Sequence, residues 1–544
     1  MDNSIFALPE ISAEAAPEFT DALTCKAWIE HVPLANVAEA QRQLLAQVTE
    51  FNRFPCKASM RLQVMEVLRE AVAFVQIEQA KRFTNRSLPM AEAEAAIFEE
   101  TTALWEAIRV GYLHCLSAAH AGETGMRAHA ALLAQRVLAY SGLKMFHHYR
   151  AYREVLGGDW HSLHNAYRMA EELEVVDEQV KDYLNRDVHD ASPRIQYMRA
   201  LLMGMANPNE LARRQLSFVA FLLERWAEKV DVSAQPVAAE GMLPLVVDIG
   251  GDKPPERLTG SGDAKIVEPR FLDVSRLTKS LKNRIGLLRK GESPAKLALG
   301  EDCVQPSCEQ LLVFLYRLWC QPRQPRSSER KQVTQVAMVC NDMAAIHYYI
   351  LGKVFRQPGG TQKELSQKER DQIATFGRIS TKDEDDYSVV HGFLLEHWQI
   401  EDESVSGLRM LRPVGSPGKR FTHGQLAAVR PGDAKNFMLV QVRWLMEGND
   451  GTLNAGLRLL PGLPAAIAVR GYGLNAANEK YIAGLTLTEV AALKSPPTLI
   501  LPSGWYKPKR VVEVFVQQAL RVKLNDLIER GPDFERMTYE VLPD

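Results

Sequence analysis

Cysteine is scarce in this chain and its spacing is uninformative for metal binding. The seven thiols, Cys25, Cys56, Cys115, Cys303, Cys308, Cys320 and Cys340, are odd in number, and no two form a CxxC pair. That pattern argues against a zinc site or a disulfide framework and for reduced, buried thiols in a cytosolic protein. Long apolar runs are missing too. No window reaches the ~18 uninterrupted apolar residues of a membrane-spanning helix, so no membrane span is expected. The opening stretch MDNSIFALPEISAEAAPEFTDAL starts acidic and lacks a basic n-region, so it does not read as a secretory signal. Neither sign of charge dominates: 65 Lys and Arg stand against 67 Asp and Glu. A global positive field that would hold a nucleic-acid polymer is therefore absent.

Chemical signatures are equally sparse. There is no GxSxG elbow, no HExxH and no zinc-finger spacing. DIGGDK at 248–253 and GSGDAK at 260–265 are glycine-rich but fit no phosphate-loop or dinucleotide pattern, and they read as turns. His161 and His164 beside Trp160, and the pair His147 and His148, have no acidic or thiol partner at ligand spacing, so they read as ordinary helix or core histidines. No catalytic constellation emerges, and an enzyme is not expected. A single-strand nucleic-acid binder is disfavoured by the balanced charge and by the lack of a strand face that mixes basic and aromatic residues.

What is present is a long chain that changes texture along its length. At 544 residues, with 46% apolar and 24% charged residues, it exceeds what one hydrophobic core organises and has an ordinary globular composition. After an N-terminal extension over 1–35, residues 36–231 place apolar side chains at three- and four-residue spacing, as in LQVMEVLREAVAFVQIEQAKRF, with Pro and Gly mainly between the runs. This predicts an all-α array of about seven helices. The helix, Gly-Gly-Asp break and second helix around Trp160 resemble a tetratricopeptide-type hairpin, without a clean repeat at a fixed period. Residues 232–321 read as a linker with short strands and two helices. From 331 onward the language turns to short β-branched runs between turn residues. Asn449-Asp450-Gly451 predicts a tight hairpin turn.

The stretch QPRQPRSSER, residues 321–330, sets three arginines directly before the strand KQVTQVAMVC. Arginine presents a planar fork of donors suited to phosphates and to the guanine O6/N7 edge. The strand FLLEHWQIEDES ends in Asp402 and Ser404, and Gly407 follows three residues on, so that the three are spaced as DxSxxG. A carboxylate accepts well from guanine's N–H groups, and a hydroxyl adds a donor or acceptor. Glycine permits a positive φ or a close approach. Arg326 and Arg330 form RxxxR, while Arg323 offers an offset alternative between which the sequence does not choose. In a purely structural reading these arginines are solvated loop residues and Asp402 and Ser404 make a local turn.

RxxxR followed by DxSxxG among barrel strands resembles the PilZ domain, the bacterial receptor module for cyclic di-GMP, over residues 322–470. The resemblance implies an α + β protein: the helical array, then an antiparallel six-stranded barrel interrupted by an insertion over 341–390, then a C-terminal β-rich extension over 471–544 that could form a second, incomplete barrel. It further implies cyclic di-GMP as ligand, held by Arg323, Arg326, Arg330, Asp402, Ser404 and Gly407, with no cofactor or metal. The expected role is a cytoplasmic effector that meets an unknown protein partner through the helical domain or the insertion. The alternative is an interaction scaffold whose barrel binds no nucleotide.

Overall fold

The computed structural model describes residues 8–84, 86–184, 190–236, 244–258, 266–322, 330–358, 392–473 and 479–543. They divide into two compact units, the first comprising Met1–Arg86 with Met90–Arg326, the second Ser87–Pro89 with Ser327–Asp544.

The first unit is built on helices α1 (Ala22–Ile29), α2 (Val37–Arg53), α3 (Ala58–Phe83), α4 (Glu92–His120), α5 (Ala130–Arg150), α6 (Asp159–Glu172), α7 (Pro193–Met205) and α8 (Arg213–Trp226). Their starts follow local chemistry. Asp21 and Thr24 close a capping box on α1, and Ser192 caps α7 just before Pro193 at the first helical position. Each helix packs mainly on neighbours one and two along the chain: α2 on α3 and α4, α5 on α4, α6 and α7. This is the expected helical array.

Residues 231–320 are more than a connector. Alongside the short pair β1 (Val180–Lys181) and β2 (Asp190–Ala191), strands β3 (Asp231–Ser233), β4 (Leu245–Asp248), β5 (Glu256–Arg257) and β6 (Pro269–Asp273) form a sheet in the order β3-β6-β4-β5. Helices α9 (Ser275–Arg289) and α10 (Ser307–Cys320) follow. Leu245, Leu272, Leu281 and Trp319 are buried in the same core as the helices, and the Trp319 indole donates to the Leu202 carbonyl at 3.0 Å. The short strands and two helices read from the sequence are present; what a linker reading left out is that the strands pair into one sheet and pack on the helical core. DIGGDK is a turn with a purpose: the Asp252 carboxylate accepts from the N–H groups of Gly158 (2.7 Å) and His161 (2.9 Å), capping α6 from outside.

The expectation of seven free thiols is corrected at one place. Cys303 and Cys308 are joined in a disulfide, with Cα atoms 5.0 Å apart, because the loop before α10 turns back on itself within five residues. The other five are free. Burial pushes the thiols of Cys25, Cys115 and Cys340 up to about 12 and that of Cys320 up to about 11, which leaves them inert.

The second unit holds two closed barrels. The first uses β7 (Lys331–Asn341), β8 (Glu396–Ser404), β9 (Gly407–Arg412), β10 (Leu426–Pro431), β11 (Met438–Glu447) and β12 (Leu453–Leu459), with α11 (Met343–Leu351) between β7 and β8. The second uses β13 (Pro464–Gly471), β14 (Ile482–Leu487), β15 (Thr498–Pro502), β16 (Val511–Phe515), β17 (Ala519–Arg530) and β18 (Phe534–Val541). Two boundaries differ from the sequence reading. AAIAVRG is not the last strand of the first barrel but the opening strand of the second, and the C-terminal region is a complete barrel. Around the first, strands run β7-β8-β9-β12-β11-β10; around the second, β13-β14-β15-β18-β17-β16. Replacing each strand of one ring by the strand six places later gives the other, so one topology occurs twice. The barrels share a core that includes Cys340, Leu426 and Leu439 from the first and Leu485, Ile500 and Phe534 from the second, with Ile346 of α11 among them. The hairpin at Asn449-Asp450-Gly451 forms as expected, with Gly451 at φ 81°.

Candidate ligand-binding rim of the first barrel

Strand β8 alternates. Glu396, Trp398, Ile400 and Asp402 are buried, while His397, Gln399 and Glu401 lie outside or half-exposed. Asp402 is therefore the last member of an inward row, and β-bulges flank it: β7 pairing shifts between Gln332 and Gln335, and β9 pairing shifts between Ile400 and Asp402. Bulges re-aim side chains at barrel rims. The shift brings Asp402 opposite Gln332 of β7 and Arg409 of β9, next to the residue that precedes β7. That residue is Arg330, whose Nη1 donates to Asp402 Oδ1 at 2.6 Å. Arg330 keeps 36% of its side chain exposed, while Asp402 keeps 8%; the arginine faces solvent with the carboxylate behind it.

Ser404 and Gly407 close the β8–β9 hairpin through the two-residue turn Val405-Ser406. The Ser404 hydroxyl donates to the Gly407 carbonyl at 3.1 Å. The glycine is required for close approach: a Cβ there would stand 2.6 Å from the Leu457 carbonyl oxygen of β12. Its φ lies outside the left-handed region, so the neighbouring strand, rather than a turn, demands it. Around the pair, Arg409 bridges Glu401 at 2.8 Å, and Lys331 is registered opposite Glu403. The rim thus gathers cations and carboxylates side by side. Arg323 and Arg326 lie outside the described residues.

The other end of the barrel holds a polar cluster that sequence reasoning missed. Glu396 and Arg412 form an ion pair at 2.9 Å with 1% and 5% of their side chains exposed. The Trp398 indole donates to Glu396 at 2.9 Å, Lys419 N–H donates to it at 2.7 Å, and Arg412 also donates to the Lys419 carbonyl at 2.8 Å. A period-two count along EHWQIED, residues 396–402, would have found it, because it sets Glu396 on the same inward row as Trp398 and Ile400, and a glutamate on an inward row requires a buried cation.

The histidines have local partners. His147 and His148 bond through Nδ1 to the carbonyls of Leu143 and Glu154. His164 is held between the Tyr197 hydroxyl at 2.8 Å and the Lys253 carbonyl at 2.9 Å, and burial pushes its pKa down to about 4. Among the described residues no group of three or more His, Cys, Asp or Glu side chains is placed to hold a metal ion, and no helix is long and apolar enough to cross a membrane.

Comparison with known proteins covers both ends of the chain. Residues 23–237 match the family model for the N-terminal domain of the cyclic-di-GMP receptor FimW. Residues 467–542 match the model of the FimW C-terminal β-barrel domain, which coincides with the second barrel. The chain is 23% identical over 518 residues to the cyclic-di-GMP receptor FimW of Pseudomonas aeruginosa, an alignment that spans 88% of this chain and 83% of that protein. From helical unit to second barrel, this chain is similar to FimW.

Proposed function

We propose that this chain is a cyclic di-GMP-binding effector that catalyses no reaction, with a PilZ-type site on the rim of the first barrel. The observation that carries this reading is the meeting of Arg330 and Asp402 at 2.6 Å, two residues 72 apart in sequence, one from each half of the sequence pattern. The name of the Pseudomonas relative supports the same ligand. In this reading a guanine dinucleotide engages the outward fork of Arg330, with Arg323 or Arg326 as a second arm. Asp402 both orients Arg330 and is available to the guanine N–H groups, while Ser404 and Gly407 set the rim's shape. Arg330 is held in place before ligand arrives, which lowers the ordering cost of binding. Binding would then be transmitted to a protein partner, through the helical unit or the insertion, in the cytoplasm.

Calorimetric titration with cyclic di-GMP, with GTP and cyclic di-AMP as controls, tests this. Saturable binding confined to the guanine dinucleotide and weakened in Arg330→Ala supports it; unchanged affinity in that variant removes the rim from the site. A second reading, an interaction scaffold without nucleotide binding, is favoured by the same ion pair, since Asp402 already neutralises Arg330. Absence of heat at high cyclic di-GMP concentration would select it.

A further inference from the structure

The second barrel carries a cavity that the nucleotide reading leaves unused. Strand β13 turns Ile467 and Val469 into the barrel core, so the alternate residues Ala466 and Ala468 face outward. Over them passes the segment 352–358. It leaves α11 at Gly352, whose φ is 73° and whose N–H donates to the Tyr348 carbonyl at 2.9 Å. It is fastened at its far end by Gln357, whose side-chain amide donates to the Tyr481 carbonyl and accepts from the Tyr481 N–H, both at 2.8 Å. A strap pinned at both ends over two alanines leaves the space unfilled. The result is a cavity of about 750 Å³, with Leu351, Val354 and Phe355 on one side and Ala466, Ala468 and Phe515 on the other. That is within the usual size of a small-molecule site, and apolar walls with a few polar groups are its usual character.

The polar groups restrict the ligand further. Of the described residues that line the cavity, Lys353 and Arg356 are cationic and none is acidic, and both cations are exposed. His347 also lines it. Only 2% of this residue is exposed, and its Nε2 donates to the Ile467 carbonyl at 3.2 Å. Burial lowers its pKa, so the ring is neutral and the proton stays on Nε2. Nδ1 is then a lone-pair acceptor, and it has no hydrogen-bond partner among the described residues. A buried acceptor left unsatisfied is costly.

We propose that this cavity is a second ligand site, for a small amphipathic organic anion: an apolar, preferably ring-bearing body over Ala466 and Ala468, a carboxylate, phosphate or sulfonate held by Lys353 and Arg356, and an N–H or O–H group to satisfy His347. The site is independent of the rim. Its wall includes the end of α11, which follows β7 after the single residue Asp342, so an occupant would touch the element that links the two barrels.

The dye 8-anilinonaphthalene-1-sulfonate has all three features, and N-phenyl-1-naphthylamine is the same molecule without the sulfonate. Fluorescence titration of the full chain is expected to show one saturable site for the sulfonate. Lys353→Glu with Arg356→Glu changes only exposed side chains and should weaken the sulfonate about tenfold while leaving the neutral dye within about twofold. Ala468→Phe should remove both dyes, with circular dichroism confirming the fold. If the charge-reversed protein, folded by the same criterion, binds the sulfonate as tightly as the original, the dye sits elsewhere and the proposal is overturned. Cyclic di-GMP titration of that variant should be unchanged; this separates failure here from failure of the rim assignment.

Discussion

The two barrels share a topology and differ in what they place at corresponding positions. In the first, the residue before the opening strand is Arg330, and it meets the carboxylate of Asp402 near the end of the second strand. In the second, the residue before the opening strand is Leu463. Its backbone N–H donates to the hydroxyl of Thr488, just past the end of the second strand, at 2.9 Å. The hairpin between the second and third strands contrasts likewise. The first barrel uses the two-residue turn Val405-Ser406, whereas the second spans 488–497 with a short 3-10 turn at Ala491–Leu493. Closing a barrel satisfies the strand edges and uses the inward row for packing, which leaves rims and outer faces free to diverge. One ring is therefore proposed to read a nucleotide at its rim and the other a smaller anion on its flank. Topology alone would have assigned both the same role.

The largest expected effect concerns what the first barrel keeps inside. Glu396→Ala leaves Arg412 buried without its carboxylate, and the loss of stability should be about 3–5 kcal/mol, read by urea denaturation. Glu396→Gln with Arg412→Met, which removes both charges, should recover most of that. A loss near zero in the single variant would mean that the buried pair does not hold this barrel. At the rim the expected effect is smaller. Arg330→Ala should weaken cyclic di-GMP binding about tenfold to thirtyfold, or ~1.4–2 kcal/mol. Thr488→Ala, at the corresponding place in the second barrel, should leave affinity within about twofold. Equal losses in both variants would erase the contrast drawn between the rings.

Much of this was legible in the sequence because it depends on local patterns. The helical stripe of α3, the Asn449-Asp450-Gly451 hairpin and the placement of Arg330 before a strand follow from spacing and turn chemistry. The motif pair assigned Arg330 and Asp402 to one ligand site across an insertion that includes α11, but it did not foretell that the two would bond directly to each other. What escaped depends on long-range pairing. Whether AAIAVRG closes the first ring or opens the second is decided by its pairing with Ile482–Leu487 and Val511–Phe515, and a run of seven residues carries no sign of its partner. The role of Asp252 as a cap on α6 joins residues about ninety apart. The Cys303–Cys308 bond depends on the course of a five-residue loop. The cavity exists because α11 and its strap fold back over β13, and neither segment announces that contact.

The smallest expected effect probes how the two rings are joined. Asp533 lies in the β17–β18 turn of the second barrel, and its carboxylate accepts the Leu426 N–H at the start of β10 in the first barrel at 3.1 Å. Burial pushes its pKa up from 3.8 to about 6, opposed by that backbone donor and assisted by the charge of Asp342. The folded chain thus retains this proton to higher pH than the unfolded chain does. Between about pH 4 and 6 the folded state binds more protons, so this residue's contribution to stability falls as pH rises through that window and stays reduced above it. Asp533→Asn keeps an oxygen to accept from Leu426 but cannot ionise. It should raise stability at pH 7 by on the order of 1 kcal/mol, less than the full shift implies because Asp533 is only partly enclosed. It should also flatten the stability profile between pH 4 and 6. An unchanged slope in denaturation midpoints across that range would show that this contact between the barrels does not titrate there.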